Sequence, residues 1–301
     1  MKLALVTYEA IQSYGSLSGS EDGVLTDYLN SHEFEVTSEI WNDPAVLWEQ
    51  YDAAILKSPW DYFDRIQEFY AWLDRMEKLG VRLLNPIKTV RWNTDKQYLL
   101  DVAAAGLPTV PTALLISGEQ VSLAPIFERF QTDKLIIKPR VSGGAKNTFV
   151  VKKTELAAGE AKAQELLASE DYLAQPFIPQ IQEEGEWSFL FFNGKYSHTI
   201  LKTAKEGDFR VQHFFGGTIH PKEAPAHLLA QAQKLVDQFA KGCLYARIDG
   251  VAVGEELQLM ELELIEPFLF LHTHPNALAN YHRALQELLQ DMPVVKSNPA
   301  N

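Results

Sequence analysis

Tyr245-Ala-Arg-Ile-Asp249-Gly-Val, a short loop, and then Leu259-Met-Glu261-Leu-Glu263-Leu-Ile-Glu266-Pro267 make up the most informative stretch of the chain. It reads as two strands. In the second, Met260, Leu262 and Leu264 alternate with Glu261 and Glu263, so a period of two sets the aliphatics on one face and the carboxylates on the other. Gly254-Glu255-Glu256 lies between the runs and can close a hairpin. Folding about that loop places Asp249 opposite Glu261, and directly opposed side chains of an antiparallel pair stand about 5 Å apart. With no lysine interleaved, carboxylates that close repel one another unless something neutralises them. A hard divalent cation with oxygen ligands, Mg²⁺ above all, would do so. The competing reading is the solvated face of an ordinary antiparallel sheet.

A chain of 301 residues, 46% hydrophobic, can bury a large core and divides naturally into two or three subdomains. Acidic residues outnumber basic ones 40 to 27, a formal charge of −13, and no strong basic run offers a footprint for nucleic acid. The single cysteine, Cys243, rules out an intrachain disulfide and is expected to be a buried, inert thiol. No apolar run approaches the ~20 residues needed to span a bilayer, and Met1-Lys-Leu-Ala-Leu-Val-Thr reads as a short strand rather than a signal peptide. The expectation is a soluble, cytoplasmic protein with no membrane partner.

From the N-terminus, residues 3–6, 34–40, 53–57 and 81–84 read as strands. Residues 16–22 read as a polar loop, followed by a helix with Val24, Leu25, Tyr28 and Leu29 on one face. Ile66, Phe69, Tyr70, Leu73 and Met76 mark another helix, stopped by Gly80. Strands alternating with helices predict a small parallel α/β domain over the first ~90 residues. Lys57-Ser-Pro-Trp60-Asp61-Tyr62 follows the third strand, and ligands in open α/β sheets bind outside the carboxyl ends of strands. Lys57, Trp60 and Asp61 are therefore candidates for substrate contact, with a capped loop as the alternative. Asn93-Thr94-Asp95-Lys96 reads as the start of a helix capped by Thr94 and ended by Gly106.

Lys134-Leu-Ile-Ile-Lys138-Pro139 is a strand, and Ser142-Gly143-Gly144-Ala145 follows it before a strand at 148–152. Such a loop can wrap phosphate oxygens with backbone N–H groups. The chain has no G-x-x-x-x-G-K-[ST], and no G-x-G-x-x-G follows a strand. Residues 172–178 form a strand bracketed by Pro176 and Pro179, a rigid joint between lobes. Runs 187–192 and 196–202 pair through Asn193-Gly194, a strong hairpin signal. Helices are expected at 155–168, 222–241 and 277–289.

Several of these motifs, in order, resemble the ATP-grasp carboxylate–amine ligases. Lys205-Glu-Gly-Asp-Phe-Arg210 with Gly216-Gly217 is similar to a stretch in ribosomal-protein glutamate ligases and glutathione synthetases. Asp249 with Glu261-x-Glu263 is similar to the family's metal triad, and Asn93-Thr-Asp-Lys96 and Ile137-Lys138-Pro139 to its two nucleotide lysines. A closer likeness, to the D-cycloserine-synthetase-like branch, rests on Lys57-Ser-Pro-Trp-Asp-Tyr, Trp92-Asn-Thr-Asp-Lys, Gly185-Glu-Trp-Ser, Lys195-Tyr-Ser-His and Met260-Glu-Leu-Glu-Leu-Ile-Glu-Pro. There are two departures. The third metal position, commonly Asn, is Glu263, and the hinge reads Gln175-Pro176-Phe177-Ile178, where Pro176 lacks a backbone donor.

The resemblance implies an α/β protein, α+β in its last lobe, with a pre-ATP-grasp domain at 1–91 and two lobes, 92–178 and 179–301, clasping the nucleotide. It implies ATP and Mg²⁺, with Mn²⁺ as an alternative, and small-molecule carboxylate and amine substrates joined through an acyl phosphate. A homodimer is the family expectation. Lys96 and Lys138 would neutralise phosphates; Ser142, Gly143 and Gly144 would cover them; Gln175, Phe177, Ile178 and Glu186 would hold adenine and ribose. Asp249, Glu261 and Glu263 would bind metal, and Arg210, Lys202 and Ser142 would serve catalysis, Arg210 on the acyl phosphate and tetrahedral intermediate. Pocket walls would come from residues 8–14, 57–62 and 213–218. Ring closure within one molecule is an alternative product class, and a non-catalytic nucleotide binder an alternative role. A zinc site on His272-Thr-His274 with Asp249 or Glu266 is the reading from another class; such sites usually offer three protein ligands.

Overall fold

The computed structural model describes residues 1–9, 17–205, 211 and 216–290, with side chains omitted for 17–20. It begins with β1 (Lys2–Thr7), α1 (Leu17–Asn30), β2 (Glu35–Ile40), β3 (Ala53–Ser58), α2 (Ile66–Leu79) and β4 (Arg82–Leu83). These strands form a parallel sheet in the order β2-β1-β3-β4, as the alternation of elements predicts. β1 and β3 are buried almost throughout, because a parallel sheet is covered on both faces. Phe69, Trp72, Leu73 and Met76 form the inner stripe of α2, and Gly80 ends it in the left-handed region at φ +71°. One expectation fails here. The helix begins at Leu17, inside the stretch read as a loop, and Val24 points out, 52% exposed, while Leu25 and Leu29 pack inward.

Next come α3 (Ile87–Asn93), α4 (Tyr98–Ala104), β5 (Ala113–Leu115), α5 (Ala124–Phe130), β6 (Lys134–Pro139), β7 (Phe149–Lys152), α6 (Leu156–Leu166) and β8 (Tyr172–Pro176). The strands make an antiparallel sheet, β5-β8-β6-β7. Thr94 closes α3 rather than opening a helix: its hydroxyl donates to Arg91 O at 2.8 Å, and a turn intervenes before α4. That turn is pinned to the end of β6. The Lys96 amide bonds Arg140 O at 2.9 Å, and the Arg140 guanidinium grips Asp95 and Asp171.

The remainder holds α7 (Gln180–Glu183), β9 (Glu186–Phe192), β10 (Lys195–Thr203), β11 (Thr218–Pro221), α8 (Ala226–Phe239), β12 (Tyr245–Val253), β13 (Glu256–Glu263) and α9 (Ala277–Gln290). Five antiparallel strands run β11-β10-β9-β12-β13. Asn193 and Gly194 both take positive φ, +47° and +74°, as a two-residue hairpin with the native twist requires. Leu228, Ala232, Leu235 and Val236 of α8 share a core with Phe189, Ile248, Leu262 and Leu264. α9 crosses back: Tyr281, Leu285 and Leu288 join Leu3, Leu5, Leu25 and Ile55 in one cluster, so the first and last stretches of the chain share a core.

β13 is an edge strand whose outer side is occupied by the link between the first two sheets. Val110 N donates to Leu259 O and Leu259 N to Pro108 O. Leu262 N donates to the Tyr98 hydroxyl, and Asn93 both accepts from Leu264 N and donates to Leu262 O. Asn85 bridges Tyr245 O and Leu264 O. The acidic hairpin is thereby fixed to Asn85, just after the first sheet, and to the link that carries Lys96.

Candidate active site

The hairpin register sets Asp249 opposite Glu261 and Arg247 opposite Glu263, but Gly250 opposite Leu259. Met260 is the extra residue of a β-bulge. The alternation read from sequence therefore breaks at Met260. Leu257 and Leu259 face the α8 core on one side of the bulge and Leu262 and Leu264 on the other, while Met260 turns to pack with Phe177, Ile178, Ile181 and Val251. The bulge thus brings the segment after β8 against the strand bearing the acids. Gly250 is required there, because a Cβ would lie 2.8 Å from Gln258 O.

The acids are not left to repel one another, and this corrects the picture of a cluster without basic neighbours. Asp249, 2% exposed, accepts from Arg247 Nη2 at 2.8 Å, Ser188 Oγ at 2.5 Å and Lys202 Nζ at 3.3 Å. Arg247 lies two residues away on the same strand face, so its fork reaches Asp249 along the strand and Glu263 across it. Its Nη1 donates to Phe268 O at 3.0 Å, and the Phe270 ring lies 5.6 Å from its centre. Lys202 also pairs with Glu186, its partner across β9 and β10. Lys96 Nζ sits 3.1 Å from Glu261 and also donates to Ser142 O. Sequence reasoning passed over Arg247 and Ser188; an arginine two before a buried aspartate on one strand was the available signal for the first.

Burial and charge set the protonation of these groups. Burial would raise the Asp249 carboxyl, but Arg247 and Lys202 outweigh it and bring it to about 2. Burial also opposes ionisation of Glu261, yet Lys96 and Lys138 hold its carboxyl below the ordinary value. Glu263 rises to about 7, driven by burial against the pull of Arg247 and with the push of Asp249 and Glu261. Glu266 rises to about 8, through burial and then Glu263. Lys138 falls to about 8, chiefly through burial, with Lys96 adding to the effect and Glu261 opposing it.

Glu261 is thus paired with Lys96 of the link and also feels the charge of Lys138 on β6. Ser142 is buried at the start of the glycine loop. Glu186 is buried against Lys202, and burial raises its carboxyl. Gln175, 4% exposed, donates its amide to Thr112 Oγ1 at 2.9 Å, and Phe177 N donates to Lys134 O. Arg210 lies outside the described residues, as do 10–14 and 213–215 of the expected pocket walls.

Lys57 was read as a candidate for substrate contact, and the structure corrects this. It is fully buried, 3.0 Å from Glu21 and 3.1 Å from Asp22, and donates to Pro267 O. Glu21 in turn accepts from Leu269 N and Leu271 N. The cluster bolts the first sheet to the loop after β13. Asp61 accepts from Trp41 Nε1, and Trp60 Nε1 donates to Glu266 O at 3.0 Å. Trp60 stacks on Tyr8 at the carboxyl ends of β3 and β1. His274 stacks at 5.8 Å on His198, whose imidazole burial drives down to about 4. Among the described residues no three His, Cys, Asp or Glu side chains are arranged to hold a metal ion, and this applies both to the zinc reading and to Asp249, Glu261 and Glu263, whose carboxylates are turned to Arg247, Lys202 and Lys96. Also among the described residues, no helix is long and apolar enough to cross a membrane.

Comparison with known proteins adds the following. Residues 3–85 match the model of the D-cycloserine synthetase DcsG N-terminal domain, and residues 101–269 that of the prokaryotic glutathione synthetase ATP-grasp domain. The cycloserine biosynthesis protein DcsG of Streptomyces lavendulae is 30% identical over 273 residues, covering 85% of this chain and 90% of that one. The crystal structure of D-cycloserine synthetase DcsG superposes with a TM-score of 0.79 at 25% identity, covering 96% of this chain and 100% of that one. D-alanine–D-alanine ligase from Bacillus anthracis shares the fold, with a TM-score of 0.68 at 16% identity and 96% of both chains covered.

Proposed function

The chain belongs to the ATP-grasp ligases, which use ATP to form carbon–nitrogen bonds, and we propose that it activates a small-molecule carboxyl group as an acyl phosphate for attack by an amine. The observation that carries this reading is the pairing of Lys96 with both Glu261, directly across the hairpin from Asp249, and the carbonyl of Ser142 at the start of the glycine loop, which ties the acidic strand to that loop.

In this reading residues 92–178 and 179–301 are the clasping lobes, and adenine lies against Met260, Phe177 and Ile178. Lys96 and Lys138 neutralise phosphate oxygens, and the amides of Ser142, Gly143 and Gly144 cover them. Positioning and charge stabilisation are most of what phosphoryl transfer needs. Arg247, with Arg210, presents a planar fork to oxyanions formed as the amine attacks. Closing the glycine loop excludes water, which would otherwise hydrolyse the acyl phosphate.

Mg²⁺ is the metal of this proposal. Glu261 and Glu263 keep side-chain exposures of 34% and 21%, and they are hard oxygen donors suited to it. Asp249 completes the set only when Arg247, Ser188 or Lys202 lets go, because its oxygens are fully engaged. Glu261 and Glu263 would hold the ion, and when bound it would supply neutralisation of phosphate charge.

The likeness of the N-terminal domain to that of D-cycloserine synthetase favours a second reading, in which carboxyl and amine belong to one molecule and the product is a ring. The test is ADP release over a panel of amino-acid-derived carboxylates, with and without added amine, and mass analysis of the products. A linear amide requires two substrates; a ring forms from one by loss of water. No ADP release dependent on any carboxylate of the panel, with or without added amine, would count against the ligase assignment of the site.

A further inference from the structure

The glycine loop between β6 and β7 is closed by two turns of its own, Lys146 N to Gly143 O at 3.1 Å and Thr148 N to Ala145 O at 3.2 Å, and is also held from outside. Gly144, Ala145 and Asn147 take φ of +58°, +58° and +54°, and two of these carry a Cβ in a region that L-residues rarely adopt. The outside contacts come from the turn at residues 62–64, after the first sheet's third strand, and from Lys96 of the link. A Cβ on Gly143 would lie 2.5 Å from Phe63 Cε1, so the loop backbone rests directly on that ring. Lys146 forms an ion pair with Asp64, and its Nζ lies 6.0 Å from the Phe63 ring centre. On the other side Lys96 Nζ donates to Ser142 O. Phe63 and Asp64 belong to a 3-10 turn, Tyr62–Asp64, that begins two residues after Trp60. Trp60 is itself bonded to Glu266 O. One short segment, 60–64, therefore touches the loop after the acidic strand at one end and the glycine loop at the other.

We infer that Phe63 and Asp64 are positioning residues for the loop over the ATP phosphates: the first domain seats the loop, through Gly143 and Lys146. This rests on the proposed reading of residues 142–144 as the phosphate cover. The two contacts differ in weight. Side chains of Lys146 and Asp64 are 46% and 40% exposed, so their pair shifts the seated loop only about two- to fivefold. The Gly143–Phe63 contact leaves no room for a methyl group unless the ring moves, so its disruption has the larger effect.

The experiment is calorimetric binding of AMP, Mg-ADP and a non-hydrolysable Mg-ATP analogue to the full chain, with thermal unfolding of every variant. Asp64→Ala and Lys146→Ala should weaken the ATP analogue two- to fivefold and leave AMP unchanged. The swap Asp64→Lys with Lys146→Asp should restore binding. Gly143→Ala should weaken it tenfold or more, and adding Phe63→Ala, which makes room for the methyl group, should recover part of the loss. Lys138→Ala separates the two levels of the argument. If it leaves Mg-ADP binding intact, the site reading itself fails. If it abolishes binding while Gly143→Ala and Asp64→Ala bind the analogue as the wild type does, the site stands and the seating role is overturned. Equal losses for AMP and the analogue, or no recovery in the double variant, would also overturn it.

Discussion

Arg247 stands directly across the hairpin from Glu263, and its guanidinium reaches both that carboxylate and Asp249. A fork held by two acids, a backbone carbonyl and a ring is fixed in direction before any substrate arrives. Arg247→Ala should cost about 3 kcal/mol of stability, because buried Asp249 loses its bidentate cation and keeps only Lys202 and Ser188. Arg247→Lys keeps a charge but loses the fork, so most of the stability should survive while ADP release falls at least about tenfold. Denaturant unfolding and an ADP assay on the two variants check both halves. Wild-type stability in the alanine variant would refute the structural half.

The Lys57 cluster makes a different prediction. Lys57→Met should leave Glu21 and Asp22 buried without their cation and cost on the order of 3–5 kcal/mol. The molecules that do fold should bind nucleotide normally, since Lys57 faces the loop after β13 and not the phosphates. A raised KM for ATP at unchanged melting temperature would return Lys57 to the role of ligand contact.

The pH dependence of nucleotide use follows from Lys138. Its ammonium is depressed to about 8, so in the free enzyme it loses its proton as pH rises through that value. The charged form is the one that attracts phosphate, so kcat/KM for ATP should be nearly full below about pH 7, be halved near 8 and keep falling above it. Lys138→Arg, which stays charged, should remove the decline. A flat profile in the wild type up to pH 9.5 would contradict this. Lys138→Ala should abolish turnover with the fold intact.

Mg-ADP should raise the unfolding temperature of the wild type. Ligand at ~100 times its dissociation constant adds about 2.7 kcal/mol. Glu261→Gln with Glu263→Gln should remove most of that shift, and the loss should be specific to conditions with Mg²⁺. An undiminished Mg-ADP shift in the double variant would separate these acids from the metal.

How much of this was legible depended on sequence distance. Asp249 opposite Glu261 could be read because only a short loop separates the strands, and the parallel first sheet because its strands and helices alternate. Met260 misled, since a bulge adds one residue without altering the run of hydrophobic and acidic letters, and only the partner strand reveals it. Lys57 misled for a related reason. Its neutralising partners, Glu21 and Asp22, lie far back on α1, in a segment whose composition read partly as loop. Arg247 was in plain view, but its role depends on the close packing of Glu263 and Phe268, which no local pattern announces.

The occupied outer side of β13 has a consequence for assembly and for substrate approach. A free sheet edge is a template on which another extended chain can be laid. Here the positions at Leu259, Leu262 and Leu264 are taken by Pro108, Val110, Tyr98 and Asn93 of the same molecule. A guest peptide, or a second copy, cannot lengthen the five-stranded sheet beside the acids without first displacing the chain's own link. Strand addition at that sheet is left to the opposite margin, at β11. Whatever reaches the acids must come in over the face of the hairpin, where the two lysines stand, and not along its rim.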